Sequence, residues 1–176
     1  MNKNISLKEW QSRAQKVLPG AGFGNFDPNI SLKRGLGSRV WDEDNKEYID
    51  FLIGSGPMIL GHGNEEVLDA IRAQLSEGLT FFTNNSKGVE LAEEICNAVK
   101  CADQIRFVSS GGEADMYAMR LARAHTGRNK ILKFEGGYHG MSGDSLMSLA
   151  PNKMVNFPLA VPYSAVIADT VRDDIL

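Results

Sequence analysis

Two adjacent glycines stand between a short apolar run and a helical pattern in the stretch VSSGGEA, residues 108–114. Glycine allows the tight backbone turn that leads from a strand into a helix. The first amide groups of such a helix lack partners within it and point beyond the end of the strand. Because amides in this position bind phosphate, Gly111 and Gly112 predict a phosphate-binding turn. A tight turn without any ligand is the other interpretation that these residues allow.

A second glycine-rich stretch, residues 136–140, holds Tyr138 and His139 directly after the next apolar run. Ligands of open α/β sheets lie outside the carboxyl ends of the strands, so the two stretches are expected to converge. An aromatic ring there can stack on a heteroaromatic ligand, and a neighbouring imidazole can hydrogen-bond to it. A half-buried packing ring at Tyr138 and a loop histidine bonded to backbone at His139 are the alternatives.

Other common chemistries lack their motifs. The chain contains no GxxxxGK[ST], GxGxxG or HExxH sequence, and residues 140–143 fall one residue short of a GxSxG elbow. His62, His125 and His139 are too dispersed along the chain to indicate a metal site, so we expect none.

The elements that position these residues follow from the hydrophobic periodicity. Residues 7–18 have the pattern of a helix that ends at Pro19, and a loop rich in glycine, proline and asparagine follows. Two β-type runs, 39–41 and 48–51, flank the turn-rich residues 42–45 and predict a hairpin. Residues 1–63 therefore form a small N-terminal α+β segment in this interpretation.

From Asn64 onward the apolar residues recur with a helical period. Two amphipathic helices come first, one around Val67 and Ile71 and one over residues 89–99. A strand at 104–108, a helix at 113–125 and a strand at 130–134 follow, and a proline-containing loop begins beyond Tyr138. The inner face of that last helix is predicted to hold Ala114, Tyr117, Ala118 and Leu121. This order indicates an α/β fold whose sheet is still incomplete at residue 176.

Composition narrows the class of partner. The 176 residues are 43% hydrophobic and 23% charged, with a net charge of -3 and no basic block, which argues against nucleic acid and anionic membranes. Neither a signal peptide nor a membrane span is predicted, so we expect a cytoplasmic protein with a small-molecule partner. Cys96 and Cys101 are the only cysteines, which is too few for a disulfide framework.

Several ordered motifs resemble one family. SSGGEA, followed by AMRLARAHTGRNKILKFEGGYHG, is similar to the cofactor-binding core of class III, fold-type I aminotransferases that depend on pyridoxal 5'-phosphate (PLP). The usual forms in that family are SSGTEA or NSGTEA, RLAR, TGR and FEGxYHG. Upstream, WDED, YIDF and GSGPMILGH resemble the glutamate-1-semialdehyde aminomutase-like branch. The likeness runs from about residue 14 to the last residue.

The resemblance implies an α/β fold and a division of the chain. Residues 1–63 would belong to the small N-terminal unit, and residues 64–176 would be the first part of the large mixed-sheet, PLP-binding domain. The implied reaction exchanges an amine between an amino compound and a keto acid or aldehyde. The segment 80–85 is similar to one that reaches the partner's active site in family homodimers, although a simple interhelical loop is the alternative.

The implied cofactor site can be carried over residue by residue. The amides of Gly111 and Gly112 would hold the PLP phosphate, and Ser110 would support the turn. Tyr138 would stack on the pyridine ring, with His139 beside it. No catalytic residue is carried over, because no lysine of the chain matches the family position that holds the cofactor covalently; we therefore expect this chain to be inactive by itself.

Two departures from the family pattern predict weaker PLP binding. Gly112 stands where threonine is usual, which keeps the amide but loses a hydroxyl. Asp115 is expected to add a carboxylate to the first turn of the helix, where it would repel a phosphate dianion. A non-catalytic truncated relative that binds a partner subunit or a phosphate compound is the alternative function. A phosphate-binding α/β domain unrelated to PLP is a third.

Overall fold

The computed structural model describes residues 5–24, 27–151, 155–165 and 167–176. The chain separates into two compact units, Met1–Asn84 and Asn85–Leu176. The predicted division between residues 63 and 64 refers to domains of the larger family fold, and it stays a prediction. No helix in the described ranges is both long and apolar enough to cross a membrane.

The first unit opens with helix α1, Leu7–Val17, which Ser6 caps by accepting a hydrogen bond from the Glu9 amide. The helix ends just before Pro19, as the sequence predicts. Three antiparallel strands follow in the order β1 (Leu32–Leu36), β2 (Arg39–Asp42) and β3 (Glu47–Ile49). The predicted hairpin is therefore confirmed as β2 and β3, and β1 is an addition.

The turn of this hairpin is built around Asp42, whose side chain is buried. It accepts hydrogen bonds from the amides of Asp44 and Lys46 and from the Tyr48 hydroxyl. Burial acts to raise the pKa of the Asp42 carboxyl, but these donors outweigh it and hold the pKa below its usual value. The buried, hydrogen-bonded carboxylate of Asp42 thus stabilises the hairpin turn.

A second carboxylate, Asp50, organises the segment after the sheet. His62 Nε2 lies 2.7 Å from Asp50 Oδ2, and the amides of Leu52 and Ile53 donate to Oδ1. The His62 ring also packs against Gly35 of β1, where an added β-carbon would lie 2.5 Å from the ring. The glycine is therefore required by the close approach of the imidazole. Helix α2, Glu65–Leu75, follows and is capped by Asn64.

The second unit contains three α-helices within its described residues: α3 (Ser86–Ala98), α4 (Gly111–Thr126) and the short α5 (Asp169–Asp174). Asn85 caps α3 by accepting from the Gly88 amide. Helices α3 and α4 confirm the predictions, and α4 begins two residues earlier than predicted. Helix α5 was not predicted.

The two strands predicted for this unit are wrong as strands. Residues 104–108 have no ladder partner in the described part of the chain, and the run 130–134 has one isolated bridge, from Ile131 to Ile175. Strand formation depends on hydrogen bonds to a neighbouring segment, so a β-type run alone does not secure it.

The predicted inner face of α4 is also wrong. Its four residues are exposed, and the half-buried face is the one that holds Gly112, Asp115, Met119 and Arg123. The loop after residue 138 covers that face, as the 2.7 Å ion pair from Arg123 to Asp144 shows. Within the described residues no segment covers the apolar face, which includes Tyr117 and Leu121.

Most of the buried residues of this unit lie in one loop. Residues 145–148 are all buried, and Met147 has no exposed surface. The backbone of these residues is hydrogen-bonded to the segment around Val161. The Ser148 amide donates to the Val161 carbonyl, and the Tyr163 amide donates to the Leu146 carbonyl. The predicted loop is therefore present, but its centre is the core of the unit.

Candidate functional site

The start of α4 is fixed by two reciprocal side-chain hydrogen bonds. Ser110 Oγ accepts from the Glu113 amide at 3.2 Å, and Glu113 Oε2 accepts from the Ser109 amide at 2.7 Å. This is a variant of the capping box, in which a serine and a glutamate three residues later satisfy amides of the first turn. Such a cap stabilises a helix by about 1 kcal/mol. The expected supporting role of Ser110 at the turn has this geometric basis.

The amides of Gly111 and Gly112 come next. No acceptor from the described part of the chain bonds to either amide, and a β-carbon on Gly111 would meet no atom within 4 Å. Both groups belong to the first helical turn, where the helix dipole favours an anion. The turn therefore has the donors and the open space that a phosphate group needs.

The second glycine-rich stretch lies directly against this turn. A β-carbon on Gly140 would lie only 2.6 Å from the α-carbon of Gly112, and Gly140 has a φ of +90°. In the other direction the contact is ordinary, since a β-carbon on Gly112 would lie 3.4 Å from the α-carbon of Gly140. The predicted convergence of the two stretches is therefore present in the second unit.

Tyr138 and His139 precede this contact. The Tyr138 side chain is 63% exposed, so it is not a packing ring among the described residues. His139 Nδ1 lies 3.6 Å from Asp115 Oδ1, and both side chains are 40% exposed. The imidazole therefore faces a carboxylate, and it makes no hydrogen bond to the backbone of any residue that the structure describes, so the alternative of a ring bonded to backbone finds no support here.

Asp115 is placed differently from the prediction. It is the fifth residue of α4, beyond the first turn, and its carboxylate lies on the side of His139. The acid of the first turn is Glu113, which is engaged by the Ser109 amide. A half-exposed carboxylate beyond the first turn acts on a bound phosphate mainly through solvent, which weakens its repulsion.

Two residues that hold the backbone next to His139, Lys133 and Ser145, were not selected by the sequence analysis. Ser145 Oγ donates to the His139 carbonyl at 2.7 Å, and Lys133 Nζ donates to the carbonyls of Ser145 and Met147. Burial lowers the pKa of the Lys133 ammonium, while the two carbonyls satisfy two of its donors. Only the S-x-x-E spacing at Ser110 and Glu113 offered a sequence signal; the contacts of Lys133 and Ser145 depend on tertiary structure.

The described residues offer no candidate metal site. Across the described ranges, no group of three or more histidine, cysteine, aspartate or glutamate side chains is arranged to hold a metal ion. The arrangement offers instead amide donors for an anion and an exposed aromatic ring beside them.

The sequence and the fold of this chain are similar to those of known proteins. The model of the family described as aminotransferase class-III matches residues 24–168. A glutamate-1-semialdehyde 2,1-aminomutase of Sulfurihydrogenibium azorense is 41% identical over 157 residues, which cover 81% of this chain and 36% of that protein. The solved structure of an omega-transaminase from Sphaerobacter thermophilus is 32% identical in sequence to this chain and superposes on it with a TM-score of 0.89. The match covers 97% of this chain and 41% of the transaminase chain.

A solved transaminase with PLP bound has 30% identity and a TM-score of 0.86, covering 100% of this chain and 42% of that chain. The fold is thus that of the fold-type I PLP enzymes, which confirms the predicted fold class. Within that class the chain belongs to the class-III aminotransferase family, whose cofactor is PLP. The chain spans about two-fifths of the length of the relatives and structures that it matches.

Proposed function

We propose that the protein to which this chain belongs exchanges an amine between an amino compound and a keto acid or aldehyde, using PLP. The observation that carries the proposal is the contact of Gly140 with Gly112, which brings the free amides of α4 and the Tyr138 segment to one place. Similarity to an aminomutase and to transaminases supports both an aminomutase reaction and an aminotransferase reaction.

The residues present fit PLP. The amides of Gly111 and Gly112 would bind its phosphate, with Ser110 holding the turn, while Tyr138 would stack on its ring and His139 would lie beside it. When bound, PLP supplies an electron-withdrawing ring that stabilises negative charge at the carbon next to the amine. The residues of this chain hold the phosphate and orient the ring. We assign none of them a catalytic role, and the inactivity of the chain by itself stays a prediction.

A cytoplasmic homodimer is the proposed form of the protein. The segment 80–85 joins α2 to α3 without helix or strand, and its Phe82 side chain is fully exposed. An exposed aromatic ring on an interhelical loop favours contact with a partner subunit. Analytical ultracentrifugation of the wild-type protein and a Phe82→Ser variant measures this, and the variant is expected to dissociate at higher concentration.

Calorimetric titration with pyridoxamine 5'-phosphate, compared with inorganic phosphate, tests the cofactor site. Pyridoxamine phosphate avoids covalent reaction with surface lysines, and it carries both the ring and the phosphate. We expect it to bind at least about fivefold more tightly than inorganic phosphate, because ring stacking adds about 1 kcal/mol or more. Equal affinities favour the phosphate-binding domain unrelated to PLP, and absence of binding by both ligands contradicts the site.

The reading frame separates amine exchange from the non-catalytic alternative. A coding sequence that continues into a segment with a cofactor-holding lysine supports the enzyme. A stop codon directly after the codon for Leu176 favours a non-catalytic relative.

A further inference from the structure

Ser145 is a buried hydroxyl whose hydrogen-bond partner belongs to the candidate site. The residue is 1% exposed, and its Oγ donates to the carbonyl of His139 at 2.7 Å. Because a hydroxyl has one hydrogen and that hydrogen is used here, the 2.7 Å contact between the Ser142 and Ser145 hydroxyls must have Ser142 as donor. Ser145 is therefore satisfied as donor and as acceptor.

The position of Ser145 is fixed from both sides. Its carbonyl accepts from Lys133 Nζ at 2.9 Å, and its amide donates to Ser142 Oγ at 3.3 Å. The preceding residue, Asp144, forms the 2.7 Å ion pair with Arg123 of α4. Since α4 also carries the glycine amides at its start, Ser145 is tied to the same helix as the phosphate-binding turn.

The carbonyl that Ser145 holds is part of the peptide between His139 and Gly140. The orientation of this peptide plane is coupled to the +90° φ of Gly140 and so to the contact of Gly140 with Gly112. It is equally coupled to the direction of the backbone at Tyr138 and His139. One buried hydrogen bond thus connects the two halves of the candidate site.

We propose that Ser145 is a positioning residue that holds the His139–Gly140 peptide, so that the Tyr138 ring and the α4 amides are aligned for a single ligand containing an aromatic ring and a phosphate. This inference rests on the proposed function. It predicts that loss of the Ser145 hydroxyl disturbs the recognition of the ring and spares the recognition of the phosphate.

Ser148 offers a matched control in the same loop. It is also buried, and its hydroxyl accepts from the Val161 amide at 3.1 Å. Its contact with the stretch 136–140 is made by its backbone carbonyl, which accepts from the Gly136 amide at 2.9 Å and is kept in an alanine variant. Comparison of Ser145→Ala with Ser148→Ala therefore separates the position of the hydroxyl from the general cost of removing one. Ser145→Cys replaces the hydroxyl by a somewhat larger thiol, which is a weaker donor, and it provides a measurement if the alanine variant does not fold.

The experiment measures three quantities for each variant of the full chain. These are the affinity for inorganic phosphate, the affinity for pyridoxamine 5'-phosphate, and the circular dichroism of the bound ring per mole of bound ligand. The free ligand is achiral, so its ellipticity reports how rigidly the protein holds the ring.

In Ser145→Ala we expect phosphate affinity within about twofold of wild type and pyridoxamine phosphate affinity lower by roughly fivefold, as for one lost hydrogen bond. The ellipticity per bound ring should fall, with Ser145→Cys intermediate and Ser148→Ala like wild type. If the Ser145 and Ser148 variants give the same ellipticity as wild type, this inference is wrong and the proposed function stands. If wild type binds no pyridoxamine phosphate, the proposed function fails, and this inference fails with it.

Discussion

Gly140 approaches Gly112 so closely that there is no room for a side chain at position 140. A β-carbon on Gly140 would lie 2.6 Å from the Gly112 α-carbon. Two stretches that are separate in sequence meet at this contact. The glycine turn at the start of α4 and the segment that carries Tyr138 therefore pack against each other, and a side chain at position 140 should displace both.

Gly140→Ala tests this contact directly. The variant combines a steric clash with a φ of +90°, so we expect a loss of stability of about 1–3 kcal/mol, together with weaker binding of pyridoxamine phosphate. Urea denaturation and calorimetry measure the two effects. Gly143→Ala is the matched control, because its β-carbon would make ordinary contacts of 3.6 and 3.7 Å with Val171. Equal behaviour of the two variants would contradict the role of the contact.

Gly111→Asp should separate helix stability from ligand binding. A carboxylate at the first helical position favours the helix dipole, by about 0.3–1 kcal/mol, but it repels a phosphate dianion at the same amides. We therefore expect higher thermal stability and at least about tenfold weaker phosphate binding than in Gly111→Asn, which has the same shape without the charge. The contrary result, equal phosphate affinity of the two variants, would remove these amides from the site.

Gly112→Thr restores the residue that is usual in the family. The β-carbon fits at 3.4 Å from the Gly140 α-carbon, and the added hydroxyl provides one more donor. Pyridoxamine phosphate should bind roughly fivefold more tightly. Asp115→Asn should give a smaller gain, because Asp115 lies beyond the first turn and faces His139. Titration of both single variants checks the order, and unchanged affinity in both would refute the predicted weakening.

The Asp50–His62 contact predicts a pH dependence of the stability of the first unit. The hydrogen bond with His62, followed by the amides of Ile53 and Leu52, holds the pKa of Asp50 below its ordinary value of 3.8. A carboxyl with a lowered pKa stabilises the folded state above its unfolded pKa, and this stabilisation is lost as the pH falls through the folded pKa. Asp50→Asn should therefore be less stable than wild type at neutral pH, and the difference should shrink below about pH 4.

Urea denaturation of wild type and Asp50→Asn between neutral pH and pH 2.5 measures that difference. Asp27→Asn is a control on an exposed aspartate of the same unit. A difference between Asp50→Asn and wild type that is constant over the whole range would show that the ionised carboxylate is not the source of the stabilisation.

Local patterns predicted helices α1 to α4 and the hairpin because the signals for these elements lie within each segment. Asn64 and Asn85 cap their helices through their own side chains, and Pro19 stops α1. The strands at 104–108 and 130–134 were predicted wrongly, since a strand needs a partner that no local pattern supplies. Strand β1 was missed because its sequence, LKRGL, lacks a clear alternation and contains a glycine.

The site divides in the same way. The glycine pair, Tyr138 and His139 could be selected from their types and from their places after apolar runs. The covered face of α4 could not, because the apolar residues Tyr117 and Leu121 suggest one face while the loop beyond residue 138 packs on the other. The 3.6 Å contact of Asp115 with His139 depends on that packing.

The buried loop 145–148 bears on how this protein tolerates sequence change. Loops usually accept insertions and substitutions more readily than the helices they join. Here the order is reversed, since Met147 and Ser145 are almost inaccessible while most side chains of α4 face solvent. A one-residue insertion between Ser145 and Ser148 would displace the residues that pack most tightly. Drift among related sequences should therefore be slower in this irregular segment than along the exposed side of the helix.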